Sequence, residues 1–251
     1  MTAAPLPEGQ TEDTLLGGRV RLRQPVAGYR VAIDPVFLAA AVPAVPGDRA
    51  LDVGCGTGAA AICLAMRVPD CRVTGIERER ELVRLANDNI VLNGLAGRAS
   101  AMAGDLMNPP PRLEPGVFDH VLANPPHLAA GVVTPPLDPA RAVAHVEGAA
   151  DLRAWIRFAF TMARPKGTIT LIHRADRLDA ILAELTGRAG EIVIFPLWPG
   201  ADKAAKRVVV RARKGVGTPT RLAAGLVLHE ADGRYTAEAE AVLREGRGLN
   251  L

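Results

Sequence analysis

Aromatic residues and cysteines are scarce in this sequence of 251 residues. Phe, Trp and Tyr make up only 4% of it, which argues against a surface that binds single strands by stacking successive bases on aromatic rings. The two tryptophans, Trp155 and Trp198, are expected to serve packing. Cys55, Cys63 and Cys71 are odd in number and lack the spacing and histidine partners of a zinc site. We therefore expect reduced thiols and no metal.

Long apolar runs are also missing. No uninterrupted stretch approaches the roughly 18 to 20 apolar residues that a membrane-spanning helix requires. The first residues, MTAAPLPEGQTEDT, lack the basic leader and the apolar segment of a secretory signal. We expect a cytoplasmic protein with no membrane partner. The sequence leaves its oligomeric state open.

The charge of the chain is weakly basic, with a formal net charge of +3 and a pI near 9.0. This is compatible with a nucleic-acid partner, although many basic proteins bind none. Basic side chains gather late in the chain and predict a strip along an RNA phosphate backbone. A solvated outer face of a strand is the alternative. The residues of this basic strip are Lys203, Lys206, Arg207, Arg211, Arg213 and Lys214, of which the first three are the candidate substrate-binding residues.

Short β-rich runs alternate with helical runs from Ala50 onward, the pattern of βαβ units around a parallel sheet covered on both faces. The connection 198–205 between the last two runs has no room for a crossover helix, so the last strand should be antiparallel. The sequence thus predicts an α/β fold with a seven-stranded, mostly parallel sheet. Its strands are expected at 50–53, 72–76, 100–103, 118–123, 168–173, 192–197 and 207–213.

The chain divides into four segments. Residues 1–14 are polar and contain proline, and we expect them to be flexible. Residues 15–48 form an N-terminal segment with a helix whose N-cap is Asp34, followed by Pro35. Residues 49–214 hold the α/β domain. Residues 215–251 complete the same domain with a hairpin at Asp232-Gly233 and a short helix from about 238 to 244.

A glycine-rich loop, DVGCGTG, joins the first strand of the domain to its helix. Gly54, Gly56 and Gly58 would let a ligand approach the backbone without a clash with Cβ atoms. A relaxed dinucleotide fingerprint also fits, and glycine-rich turns occur without ligands, so the loop alone does not identify what it binds. The negative charge of Asp52 suits a bound ammonium group or an ordered water better than a phosphate.

Two further acids follow the next two strands. Glu77 lies where the doubly wound fold places a carboxylate that accepts hydrogen bonds from both ribose hydroxyls. Asp105 could accept a hydrogen bond from the adenine amino group. A solvated acid is the alternative for Glu77, and a helix cap is the alternative for Asp105.

The strand at 118–123 runs into a sharp turn, Asn124-Pro125-Pro126-His127, at the carboxyl edge where open α/β sheets bind ligands. The Asn124 side-chain oxygen and the Pro125 carbonyl could accept both N–H protons of an amino group and orient its lone pair toward a methyl donor. His127 could stack on a planar substrate, act as a base or be structural. Histidines without metal spacing or an assigned function are His120, His145, His173 and His229.

Over roughly residues 28–214 these motifs resemble class I, Rossmann-like, S-adenosylmethionine-dependent methyltransferases. The tetrad resembles the [N/D/S]PP[Y/F/W] motif of enzymes that methylate adenine N6, cytosine N4 or a glutamine amide, with His127 in place of the usual ring. The resemblance implies S-adenosylmethionine as cofactor and S-adenosylhomocysteine as its product. It also implies a methionine side shaped by Asp52, Gly54, Gly56 and Gly58, ribose bound by Glu77, adenine bound by Asp105, and Asn124 in contact with both cofactor and substrate.

The segments GYRVAIDPVFLAA, NPPH, KRVVVRARK and LVLHEADGRYT together resemble bacterial tRNA1(Val) adenine-37 N6-methyltransferases. This resemblance implies tRNA as substrate and places Arg30 and Asp34 near the methionine end of the cofactor. A purely structural N-terminal helix is the alternative for these two residues. Alternatives for the function are a protein glutamine N5-methyltransferase, a ribosomal RNA base methyltransferase and a non-catalytic cofactor-binding scaffold. A nicotinamide dehydrogenase is disfavoured because the tetrad has no evident use there.

Overall fold

A β-hairpin opens the part of the chain that the computed structural model describes, which comprises residues 6, 9–27, 30–126 and 150–251. Strand β1 (Gln10–Leu15) pairs antiparallel with β2 (Val20–Pro25) across a turn at Gly17 and Gly18. The prediction of a flexible segment 1–14 is therefore wrong for residues 10–14. Their polar composition suggested disorder, but their backbone bonds to β2 and the ion pair of Glu12 with Arg21, at 2.7 Å, hold them in a strand.

Helix α1 (Asp34–Ala41) is apolar apart from Asp34 in its first turn, and all eight of its residues are buried. It packs against helix α2 (Ala59–Arg67) and against the sheet, so no face of it needs to be polar. Asp34 is the first helical residue, while Ile33 takes the N-cap position for which the sequence suggested Asp34. The Asp34 carboxylate instead accepts a hydrogen bond from Arg207 Nε at 2.8 Å.

Seven main strands form the sheet in the order β5-β4-β3-β6-β7-β9-β8. Strands β3 to β7 are parallel to their neighbours in this order, and β9 runs antiparallel to both β7 and β8. This confirms the Rossmann-like α/β fold and the antiparallel strand. The strands are β3 (Arg49–Val53), β4 (Arg72–Glu77), β5 (Ala99–Ala103), β6 (Phe118–Ala123), β7 (Ala163–Arg174), β8 (Ala189–Trp198) and β9 (Arg207–Lys214).

Two further strands, β10 (Arg221–Leu222) and β11 (Leu226–Val227), pair parallel with β8 at the edge of the sheet. Within the described residues the sheet therefore has nine strands, where the sequence predicted seven. Strands of two residues are too short to show a hydrophobic alternation. The turn at Asp232-Gly233 brings His229 and Tyr235 into an antiparallel bridge, as the hairpin signal indicated.

Helices cover both faces of the sheet. One face packs against the hairpin, α1 and α2 through a cluster that includes Leu22, Phe37 and Ile62. The other face packs against two later helices through a cluster that includes Ile156 and Ile181. No helix among the described residues is long and apolar enough to cross a membrane. The helices not yet given are α3 (Arg80–Leu92), α4 (Leu152–Met162), α5 (Leu178–Leu185) and α6 (Ala237–Leu243).

The order of the strands reverses between β3 and β6, since the chain runs from β3 outward to β5 and then returns to the other side of β3. Ligands of open α/β sheets bind at the carboxyl ends of the strands at this point. Val53 and Ala123, the last residues of β3 and β6, are register partners. The glycine loop and the proline-rich turn therefore leave the sheet side by side.

A buried histidine joins β6 to β7 at the opposite, amino edge of the sheet. The ring nitrogens of His120 lie 2.9 Å from Asp48 Oδ2 and 2.7 Å from Thr168 Oγ1. Burial lowers the pKa of His120, against the opposing effect of its bond to Asp48. This network is structural and lies across the sheet from the glycine loop.

Candidate active site

The three glycines of the loop all have a left-handed backbone, with φ of 66°, 54° and 87° at Gly54, Gly56 and Gly58. A Cβ on Gly54 would lie 2.3 Å from Trp155 Cη2, and one on Gly58 would lie 3.3 Å from Ala86 Cβ. A Cβ on Gly56 would meet nothing within 4 Å. Gly54 and Gly58 thus permit packing inside the protein, whereas Gly56 faces open space that a ligand could fill.

The Glu77 carboxylate closes the loop from the end of the neighbouring strand β4. Its Oε2 accepts a hydrogen bond from the Gly56 N–H at 3.0 Å, and its Oε1 accepts from Arg78 and Glu79 N–H groups at 2.7 and 3.0 Å. A carboxylate has about four acceptor positions, so about one remains for a ligand. Glu77 is therefore an ordered acid beside Gly56, and the alternative of a freely solvated side chain is wrong.

Asp52 lies beneath the loop, with only 2% of its surface exposed. Its Oδ2 accepts a hydrogen bond from the Ala61 N–H, at 3.1 Å, in the first turn of α2. Burial raises the pKa of Asp52 to about 7, with a further contribution from the charge of Glu77. No lysine or arginine in the described part of the chain forms an ion pair with it. A cation bound above the loop would favour the ionised form.

Asp105 shapes the turn that follows β5. Its Oδ1 accepts a hydrogen bond from the Met107 N–H at 2.8 Å, and its carbonyl accepts from the Asn108 N–H at 3.0 Å. The side chain therefore caps a turn, which is a local function similar to the helix cap that was the alternative for Asp105. Binding of adenine by Asp105 stays a prediction.

Asn124 directly follows β6 and is the first residue of the proline-rich turn. Its Oδ1 is buried and has no hydrogen-bond partner within the described ranges. An Asn at the start of a turn commonly accepts a bond from the backbone N–H two residues later, but here that residue is Pro126, which has none. The Pro126 carbonyl lies 3.2 Å from Nε2 of His173 on β7. The fourth residue of the tetrad, His127, lies outside the described residues.

Arg30 and Asp34 both form ion pairs within the protein. Arg30 forms an ion pair with Asp13 and donates a hydrogen bond to Thr11 Oγ1 at 2.9 Å, both on β1. Asp34 is paired with Arg207 at 2.8 Å. Neither pair involves the glycine loop, so a contact of Arg30 or Asp34 with a cofactor stays a prediction. The sequence assigned Arg207 to substrate binding and Asp34 to the cofactor site. Their ion pair therefore joins residues from two predicted sites.

Four of the six cations in the basic strip have partners within the protein, and binding of RNA by this strip stays a prediction. Arg211 donates to the Leu251 carbonyl at 2.7 Å, and Arg213 pairs with Glu191 at 3.0 Å. Alternation along β9 could not reveal these partners, because they come from distant parts of the chain. The other cations with partners inside the protein are Arg207 and Lys214, and the exposed cations of the strip are Lys203, Lys206 and Arg213.

Two residues of the site had no function assigned from the sequence. Trp155, on α4, contacts the glycine loop at Gly54 instead of serving the core alone. His173, which is fully buried, contacts the turn at Pro126. Both contacts arise between elements far apart in the chain, and no spacing in the sequence signals them.

Comparison with known proteins agrees with this geometry. Residues 31–138 match the family described as methyltransferase small domain. Among solved structures, one from Agrobacterium tumefaciens described as a predicted O-methyltransferase has a TM-score of 0.72 and 26% identity. The match covers 86% of this chain and 98% of that one. An S-adenosylmethionine-dependent O-methyltransferase from Thermotoga maritima has a TM-score of 0.54 at 18% identity, covering 76% of this chain and 68% of that one, a likeness of fold alone.

The strand order, the glycine loop and these matches give the chain the fold of a class I, Rossmann-like methyltransferase and support methylation that depends on S-adenosylmethionine. Its similarity extends to particular enzymes. Proteins named tRNA1(Val) (adenine(37)-N6)-methyltransferase are 28% identical in Aeromonas hydrophila, over 82% of this chain and 85% of theirs. The one from Porphyromonas gingivalis strain ATCC 33277 is also 28% identical, over 88% of this chain and 89% of its own length.

We predict that Gly56→Ala impairs cofactor binding with little cost to the fold. The methyl group would occupy the open space above the loop, so affinity for S-adenosylhomocysteine, measured by calorimetry, should fall about tenfold or more, or about 1.4 kcal/mol. The matched control is Gly94→Ala, where φ is 68° and the added Cβ also meets nothing within 4 Å. Both variants should lose about 1 kcal/mol of stability from backbone strain. Equal affinities in the two variants would show that no ligand lies against Gly56.

We also predict that Asp52→Asn stabilises the cofactor-free protein, and more so at high pH. A carboxyl whose pKa is raised to about 7 by folding binds its proton more tightly in the folded state, so wild-type stability falls as pH rises from about 4 to 7. The Asn oxygen can still accept from Ala61. The advantage of the variant in urea unfolding should grow by about 2–3 kcal/mol between pH 5 and pH 8. An advantage independent of pH would contradict this assignment.

Proposed function

We propose that this methyltransferase transfers a methyl group to an exocyclic amino nitrogen, adenine N6 in tRNA. The observation that carries the proposal is the buried Oδ1 of Asn124, at the switch point of the sheet, for which the described residues provide no hydrogen-bond partner. A buried acceptor without a donor costs about 1–3 kcal/mol. A substrate N–H group that supplies the donor would recover this cost on binding.

The acceptor chemistry needs two hydrogen-bond acceptors. The lone pair of an aromatic amino group is delocalised into the ring, so the nitrogen is a weak nucleophile. Acceptance of its two N–H protons by Asn124 Oδ1 and the Pro125 carbonyl would direct the lone pair toward the methyl group and stabilise the positive charge that develops. Because Pro126 has no N–H and its carbonyl contacts His173, neither of its backbone groups competes for the amino group.

The residues around the glycine loop fit the proposed cofactor. Gly56 leaves room for a ligand, Glu77 retains about one acceptor position for a ribose hydroxyl, and the buried carboxylate of Asp52 lies below the loop. Bound S-adenosylmethionine would supply the electrophilic methyl group. Asp105, at the end of β5, would contact the adenine.

RNA as the substrate class is supported by the names of the relatives and by two exposed cations. Lys203 and Lys206 lie in the connection from β8 to β9, and the Lys206 carbonyl accepts a hydrogen bond from the Ala175 N–H at 3.1 Å, just beyond β7. They therefore lie near the carboxyl edge of the sheet, the edge from which the tetrad also projects. A target base would have to leave its stack, which costs least in an unpaired loop.

The test is transfer of labelled methyl groups from S-adenosylmethionine to separate pools of tRNA, ribosomal RNA and cell protein. We expect label in tRNA, recovered after digestion as N6-methyladenosine. Label in protein alone would contradict this proposal and favour glutamine methylation. Label in ribosomal RNA alone would show that ribosomal RNA, and not tRNA, is the substrate. Label on a hydroxyl oxygen would reject the amino-group mechanism, and cofactor binding without any transfer would indicate a scaffold.

Asn124→Ala should lower kcat by about 100- to 1000-fold, the usual effect of removing one group that binds a transition state. Cofactor affinity should stay nearly unchanged, because the lost oxygen serves the acceptor. Asn87→Ala is the control, since the Asn87 amide pairs with the backbone of Ala101 and lies outside the tetrad. Loss of cofactor affinity in step with kcat would show that Asn124 serves the donor.

A further inference from the structure

His173 is the penultimate residue of β7 and none of its surface is exposed. It lies two residues beyond Leu171, the register partner of Ala123 at the end of β6. At this position its Nε2 is 3.2 Å from the Pro126 carbonyl oxygen. A carbonyl only accepts hydrogen bonds, so this contact requires the proton of the imidazole to be on Nε2.

We propose that His173 is a positioning residue for the proposed amino-group methylation. Its Nε2–H donates to the Pro126 carbonyl and fixes the turn 124–126, so that Asn124 Oδ1 and the Pro125 carbonyl face the nitrogen of the substrate. His173 itself touches neither the substrate nor the methyl group. The inference rests on the proposed function, since the value of a fixed turn depends on a substrate that binds there.

The turn needs such support because its own sequence provides little. Pro125 and Pro126 have no N–H groups, so they cannot donate to a neighbouring strand. The prolines restrict φ, but they do not fix where the turn lies relative to the sheet. A bond from the rigid strand β7 does fix this, and catalytic groups must be held within about 0.5 Å of their productive positions.

A second buried histidine offers a matched comparison. His120 also lies between β6 and β7, but at the amino edge, where its partners are Asp48 and Thr168. Loss of either ring leaves buried polar groups without a partner, so both losses should reduce stability. Only loss of His173 should displace the tetrad.

The kinetic test compares His173→Leu, His173→Gln and His120→Leu on the acceptor that the labelling experiment identifies. We expect His173→Leu to lower kcat about 100-fold per folded molecule, as a displacement of about 1 Å can, with little change in KM or cofactor affinity. His173→Gln keeps an N–H donor at a similar distance and should recover most of this loss. His120→Leu should lower the melting temperature and leave kcat within about twofold. The inference is overturned if His173→Leu loses no more kcat than His120→Leu, or if Gln recovers nothing.

A second measurement needs no substrate and therefore separates this inference from the proposed function. Long-range ¹H–¹⁵N spectra of the wild-type protein report which ring nitrogen of each histidine is protonated, and the signals that vanish in His173→Gln belong to His173. We expect Nε2 to be protonated at pH 7.5, whether or not any RNA is methylated. An unprotonated Nε2 would overturn the inference even in a fully active enzyme.

Discussion

The parallel pairing of β3 with β6 is the constraint on which the rest of the site depends. These two strands are distant in the sequence but adjacent in the sheet, at the point where the strand order reverses. Their last residues, Val53 and Ala123, are register partners, so the glycine loop and the proline-rich turn emerge together. A shift of the register by one residue would turn every side chain of the strand to the opposite face. The donor and acceptor halves of the site are therefore positioned by backbone hydrogen bonds before any side chain contributes.

Electrostatics around the glycine loop adds a second constraint. Asp52 and Glu77 place two carboxyl groups close to the loop, one buried beneath it and one closing its side. The N–H groups of the loop and of the first turn of α2 compensate part of this charge. Burial nevertheless keeps the pKa of Asp52 near 7. A site built in this way favours a ligand with positive charge and hydroxyl groups, which is the chemistry of a sulfonium nucleoside with an ammonium group.

Expectations from the sequence succeeded where the signal was local. Alternation and turn residues predicted all seven main strands, because a buried strand needs a continuous apolar run. Five of them have boundaries within about one residue of those observed, whereas β7 and β8 begin earlier, at Ala163 and Ala189. They failed for β1, β10 and β11, whose residues are polar or few and gain their stability from partners elsewhere. The sequence also did not show that four of the six cations in the basic strip have partners within the protein. A cluster of cations along a strand is visible in the sequence, but the carboxylates and carbonyls that bind Arg207, Arg211 and Arg213 are not.

The sequence by itself determined the chemistry available to this protein: a glycine loop that admits a ligand, acids after successive strands, and an Asn followed by two prolines that cannot satisfy it. These features depend on residue identity and on spacing within a few positions, which covalent geometry converts directly into structure. The tertiary structure alone decided which glycine faces open space, which cations remain exposed, and that Trp155 and His173 belong to the site. Each of these depends on contacts between segments far apart in the chain, and packing selects such contacts only when the whole sheet has assembled.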